Sequence, residues 1–180
     1  MSNEEGLKMR GIAEIKELDP ETGELLDEWT EENIVVADAG LEWMASEIAD
    51  ASTTTSDKWI YMAIGEGDGT GGADAEDLTD TSLQAPVAHK DVSADTLVIS
   101  ADPDGEGSYS TVVQFGPLTF ESGVDTSSEY IIETGIKDSD ATDGTEDLFD
   151  RIVFGSPADM SERDLQIAIY IDVGGRGYSP

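Results

Sequence analysis

Apolar and polar residues alternate with a period of two along much of the chain, and that period predicts strands. In residues 7–15 the odd positions are Leu7, Met9, Gly11, Ala13 and Ile15, while Lys8, Arg10, Glu14 and Lys16 take most of the even ones, as in a half-buried strand. Asp19-Pro20-Glu21-Thr22-Gly23 supplies the Pro and Gly of a tight connection, so residues 25–29 are expected to return as the second strand of a β-hairpin. Further strands are expected over 59–64, 87–92, 96–100, 109–120, 130–136, 148–154 and 165–173, separated by acidic or Gly-containing turns. The last is the plainest. Leu165, Ile167, Ile169, Ile171 and Val173 point one way and Gln166 and Asp172 the other, which predicts one core face and one solvent face. A single stretch changes period: Asp38 is placed as an N-cap, and Leu41, Met44, Ala45, Ile48 and Ala49 share one helical face, predicting a short helix over 38–51.

Short strands at regular spacing predict a mainly β fold, a β-sandwich with an N-terminal hairpin and one short α-helix. At 180 residues the chain suits one domain. We assign residues 1–173 to it and 174–180, which contain Arg176 and Tyr178, to a flexible C-terminal arm able to grip a neighbouring subunit.

Charge changes this picture. Asp and Glu number 41 against 9 Lys and Arg, a net charge of −32, where a small domain usually carries a magnitude of roughly 2 to 8. A hydrophobic content of 38%, with 3 Trp, 5 Tyr and 4 Phe in periodic runs, separates the chain from disordered polyanions. A folded domain this acidic is expected in concentrated salt, where the Debye length at ~1 M is only about 3 Å. The charge argues against nucleic acid as a partner, since that affinity comes from Lys and Arg displacing counterions. The absence of cysteine excludes disulfides, thiolate nucleophiles and Cys-ligated zinc. The acidic start Met1-Ser2-Asn3-Glu4-Glu5 has no apolar segment behind it, and no run of about 18 apolar residues occurs, so neither a signal peptide nor a membrane span is expected.

Candidate chemistry is sparse. Gly67-x-Gly69-x-x-Gly72 matches a dinucleotide fingerprint, but the acidic residues after it offer no amphipathic helix to aim at a phosphate, and no P-loop lysine is present. His89 is the one histidine; within Ala88-His89-Lys90-Asp91 it is expected as a solvated strand residue rather than part of a triad. With so many acids no carboxylate pair is singled out for glycoside chemistry. Asp138, Asp140 and Asp143 approach a calcium loop but miss its spacing by one residue, leaving them as weak cation candidates. No catalytic residue and no cofactor are expected. Trp29, Trp43 and Trp59 are candidates for either core or interface, because large aromatics dominate both.

Three ordered segments carry a resemblance. They are the hairpin leading into Asn33-Ile34-Val35-Val36-Ala37-Asp38-Ala39-Gly40-Leu41; Tyr61-Met62-Ala63-Ile64-Gly65-Glu66-Gly67 followed by Asp80-Thr81-Ser82-Leu83; and Ile132-Glu133-Thr134-Gly135-Ile136 followed by 147–154 and the alternating last strand. Together they resemble structural proteins of tailed bacteriophages and haloarchaeal tailed viruses. The resemblance implies a β-sandwich or jelly-roll-like virion subunit, as capsid decoration, vertex turret or tail fibre component. It would assemble as a homo-oligomer in the host cytoplasm, with major capsid or tail proteins and a host surface receptor as further partners. A free-standing carbohydrate-binding or adhesion sandwich is the alternative.

Overall fold

The computed structural model describes residues 9–33, 61–68, 72–75, 80, 82–92, 97–101, 111–138 and 148–173. The expected helix 38–51, with Trp43, and also Trp59, Asp140, Asp143, Arg176 and Tyr178, lie outside them. Among the described residues the strands are β1 (Met9–Leu18), β2 (Leu25–Asn33), β3 (Tyr61–Gly65), β4 (Pro86–Asp91), β5 (Leu97–Ala101), β6 (Thr111–Phe120), β7 (Tyr130–Lys137), β8 (Leu148–Asp159) and β9 (Asp164–Val173). They form two antiparallel sheets, ordered β2-β1-β9-β6-β5 and β4-β3-β7-β8. The protein is mainly β, and the two sheets enclose a common core in a sandwich-like arrangement.

Register explains why the pattern folds this way. Ile15 pairs with Ile167 and with Trp29, so one side chain from each of three adjacent strands points to the same face. From the larger sheet that face supplies Ala13, Ile15, Phe115, Phe120, Leu165, Ile167, Ile169 and Ile171 to the core; Met62, Ile64, Ile132, Ile136, Phe149 and Ile152 meet them from the smaller one. The β1–β2 turn is built by Asp19, whose Oδ1 accepts hydrogen bonds from the backbone N–H of Glu21 (3.0 Å) and Thr22 (2.8 Å) and from the Thr22 hydroxyl (2.9 Å). Gly23 closes it at φ +69°, a conformation that costs a residue with a Cβ.

The expected solvent face of β9 is buried from Ala168 to Asp172, and Gln166 is half-buried. Ala168 and Tyr170 join Ile12 and Val112 in a second apolar cluster, and Asp172 is fully buried 3.4 Å from Arg10 Nε. The strand lies at the centre of its sheet, between β1 and β6, and the two-residue period says nothing about what rests on its far side. β8 also outruns its expected end: its pairing with β7 jumps from Val153–Glu133 to Ala158–Ile131, leaving Gly155-Ser156-Pro157 as an exposed bulge.

Candidate assembly surface

The register brings the Leu18 end of β1, the Leu25 end of β2, the Tyr130 end of β7, the Asp159 end of β8 and the Asp164 end of β9 to one end of the sandwich. Hydrogen bonds knit this end together. The N–H of Met160 donates to Glu129 O (2.8 Å), that of Ser122 to Asp164 Oδ1 (2.9 Å) and that of Asp159 to Glu17 Oε1 (2.9 Å). Glu17 is buried, and Arg163 donates to its second oxygen, so an inward-facing carboxylate of the larger sheet holds the β8–β9 turn. Beside it the N–H of Gly155 donates to Glu31 Oε1 (2.8 Å), tying the β8 bulge to β2.

The same end carries the exposed large hydrophobic residues of the described chain: Leu25 (49% exposed), Leu26 (48%), Val124 (75%) and Tyr130 (55%). Leu25 and Leu26 lie beside the turn, where the β1–β2 register slips by one residue and two consecutive leucines cannot both face the core. Exposed apolar residues scattered singly are ordinary; four converging on one end of a strongly acidic molecule are a feature.

Trp29 lies further along β2, which among the described residues is an outer strand of its sheet. Its indole is half-buried and packs edge-on against Phe154, with ring centroids 6.4 Å apart. Its other surroundings form a cleft of about 440 Å³ shared with Glu17, Asp27, Glu31, Gly155, Ser156 and Pro157.

A second built region covers the outer face of the smaller sheet. Glu133, fully buried, accepts hydrogen bonds at Oε1 from the N–H groups of Gln84 (2.8 Å) and Ala85 (3.2 Å), and at Oε2 from Arg151 Nε (2.8 Å). Arg151 Nη1 reaches Asp80 Oδ2 at 2.9 Å. Burial works against the Arg151 charge, but Asp80 and Glu133 outweigh it and hold the guanidinium above its ordinary pKa. Leu83 packs with Ala63 and Leu148 beneath the same segment. This network ties Asp80, Gln84 and Ala85 to the smaller sheet.

Other cations among the described residues also form ion pairs. Arg10 pairs with Glu32 and Asp172, Lys16 with Glu14 and Glu28, Lys90 with Asp125, and Arg163 with Glu17. Lys16 is held above its ordinary pKa by the hydrogen bonds to Glu14 and Glu28.

Of the residues singled out from sequence, Trp29 lies at this surface and Asp138 follows β7 half-buried. No group of three or more potential metal ligands forms among the described residues, and no helix among them is long and apolar enough to cross a membrane. His89 is half-buried rather than solvated, with its ring edge-on to Tyr61 at 5.5 Å, because the two side chains share the outer face of β3 and β4. In the glycine-rich stretch the N–H of Gly72 donates to Asp68 Oδ1 (3.2 Å). Sequence reasoning missed Leu25, Leu26, Val124, Tyr130 and the buried Glu17, Glu133 and Arg151. Glu133 and Arg151, opposite charges inside apolar strands, were the available signal. Comparison with protein-family models, curated proteins and solved structures returns no match.

Proposed function

We propose that this chain is a structural subunit on the surface of a virus particle from a high-salt environment, as capsid decoration, vertex turret or tail fibre component. It acts by self-assembly and not by catalysis, and requires no cofactor. The observation that carries this reading is the convergence of Leu25, Leu26, Val124 and Tyr130 on one end of the sandwich in a chain of net charge −32. Burying that end against another copy removes apolar surface from water, a gain small subunits draw on to supplement a single core. Concentrated salt screens the carboxylates that would otherwise hold copies apart. The jelly-roll connectivity and the helix 38–51 belong to this reading, as do the virion location and contacts with major capsid or tail proteins and a host receptor.

A carbohydrate-binding or adhesion module is the second reading. It is favoured by the cleft that sets Trp29 beside Asp27, Glu31 and Ser156, a combination of ring face and hydrogen-bonding groups that suits a sugar. Light scattering coupled to size exclusion in molar salt, with and without a panel of oligosaccharides, separates the two. Closed oligomers without sugar support the virion subunit. A monomer whose tryptophan fluorescence titrates with one sugar rejects it in favour of the module.

A further inference from the structure

The turn that carries Val124 is fixed from several sides. Asp125 Oδ2 accepts a hydrogen bond from the N–H of Glu121 (2.6 Å) and pairs with Lys90 Nζ of β4 (2.7 Å), the N–H of Gly123 donates to Thr126 O (3.0 Å), and the Ser122 hydroxyl donates to Met160 O. Val124, 75% exposed, therefore projects from a turn that needs little further ordering on contact. With Leu25, Leu26 and Tyr130 it offers on the order of 400 Å² per copy, about half of the ~800 Å² that each partner gives to a stable interface. That is the share of an apolar centre. The connections at the same end carry the exposed Glu21, Glu24, Glu121, Glu129 and Glu162, which supply a polar rim.

Resting on the assembly reading, we infer that the contact between copies is isologous: this end of the sandwich meets the same end of a second copy about a two-fold axis, giving a dimer that tightens as salt rises. A head-to-tail contact needs two different apolar surfaces on every copy, one to give and one to receive. Among the described residues the large exposed hydrophobics all lie at this one end. The Trp29 cleft is no second surface, because Asp27, Glu31 and Glu17 line it, and an apolar side chain entering would strip water from carboxylates without replacing it. Only the same patch on another copy then matches the patch in character. The two-fold contact also sets glutamates against glutamates, so screening by salt is a condition of it. A contact with a basic rim would behave in the opposite sense and weaken as salt rises.

The test is a sedimentation series of the full chain over concentration, at about 1 M and about 3 M KCl, followed by a mixing experiment. In the mixture a fluorescently labelled Leu26→Asp/Tyr130→Asp variant is sedimented with an excess of unlabelled wild type. The wild type is expected to dimerise, and more tightly at the higher salt. The labelled variant is expected to bind wild type at least about tenfold more weakly than labelled wild type does, because an isologous contact is spoiled from either side. A labelled Val124→Asp variant, changed at an exposed turn residue, is expected to behave alike. Far-UV spectra check that both variants are folded, and either carries the test alone. Recruitment of a variant as tightly as labelled wild type would mean that it still offers a receiving surface elsewhere; this overturns the two-fold contact and leaves the assembly reading standing. A wild-type oligomer of any order other than two does the same, as does association that weakens when KCl rises. A wild-type chain that is monomeric at every concentration overturns both readings and leaves this end to a partner of different sequence.

Discussion

A Cβ placed on Gly11 would collide with Oδ2 of Asp150 and lie 2.9 Å from its Cγ, so the β1 glycine and the buried β8 aspartate share one space between the two sheets. Asp150 Oδ1 accepts a hydrogen bond from the Arg151 N–H (3.0 Å), which fixes the carboxylate there. The Gly11→Ala variant is expected to lose about 1–3 kcal/mol through overpacking. In an Asp150→Ala background the same change should cost at least about 1 kcal/mol less, since neighbours that share a space do not act additively. Chemical denaturation of the four proteins in molar salt measures this coupling, and strictly additive losses would contradict the shared space.

The Glu133–Arg151–Asp80 network predicts an asymmetric response to mutation. Arg151→Leu leaves the buried Glu133 charge without its cation and is expected to cost about 3–5 kcal/mol. Adding Glu133→Gln removes that charge and should recover part of the loss while keeping an oxygen for the Gln84 and Ala85 amides. Amide exchange at Gln84 and Ala85 reports the same effect locally. A double variant less stable than Arg151→Leu alone would show that the charge itself is not what matters.

Acid should destabilise the protein when salt is high. Glu14 is pushed up by burial, but hydrogen bonds from Lys16 and Tyr170 outweigh this and hold it below 4.5. Asp19 is held below 3.8 by the backbone and hydroxyl of Thr22 and the backbone of Glu21, and Asp159 below 3.8 by the hydroxyl and N–H of Ser161. The unfolded chain therefore binds more protons than the folded one in this range. The contribution is complete above the ordinary carboxyl values and is lost as pH falls through the lower folded values. In molar salt Tm should be flat above about pH 5 and fall below about pH 4; a Tm that rises there would mean that relief of charge repulsion dominates even when screened.

Salt dependence follows from composition. With 41 acids against 9 cations, carboxylates outnumber their possible cationic partners more than fourfold, so repulsion among them outweighs ion pairing at low salt. Raising KCl from about 0.1 M to about 3 M shortens the Debye length from about 10 Å to under 3 Å and should raise Tm steadily. Replacing the exposed Glu21, Glu24 and Asp27 with their amides should lower the salt needed. A Tm indifferent to KCl would remove the high-salt account.

The hairpin, its turn and the inward face of β9 were legible because each rests on local rules: a two-residue period and an Asp-Pro-Glu-Thr-Gly turn. Leu25 and Leu26 were not, since a strand pattern assigns adjacent residues to opposite faces and only a register slip exposes both. Asp172 is buried where the alternation of β9 predicts solvent, and Glu17, Glu133 and Arg151 are buried too, because polarity in a strand predicts exposure unless the partner strand's register is known. The strand pattern ends at 154, whereas β8 continues past Pro157, which cannot donate to a ladder and sits in the bulge. The Trp29 cleft needed the bulge and β2 together, a juxtaposition of residues more than 120 positions apart.

The assembly surface is tested most directly by sedimentation velocity in about 3 M KCl, where charge repulsion is screened, comparing the wild-type chain with the Leu26→Asp/Tyr130→Asp variant. Both residues are about half exposed, so the variant should keep its far-UV spectrum and a stability within about 1 kcal/mol of wild type. We predict a discrete wild-type oligomer and a monomeric variant. Equal sedimentation of the two, whether both assembled or both monomeric, would contradict the assignment of this end of the sandwich as the contact between copies.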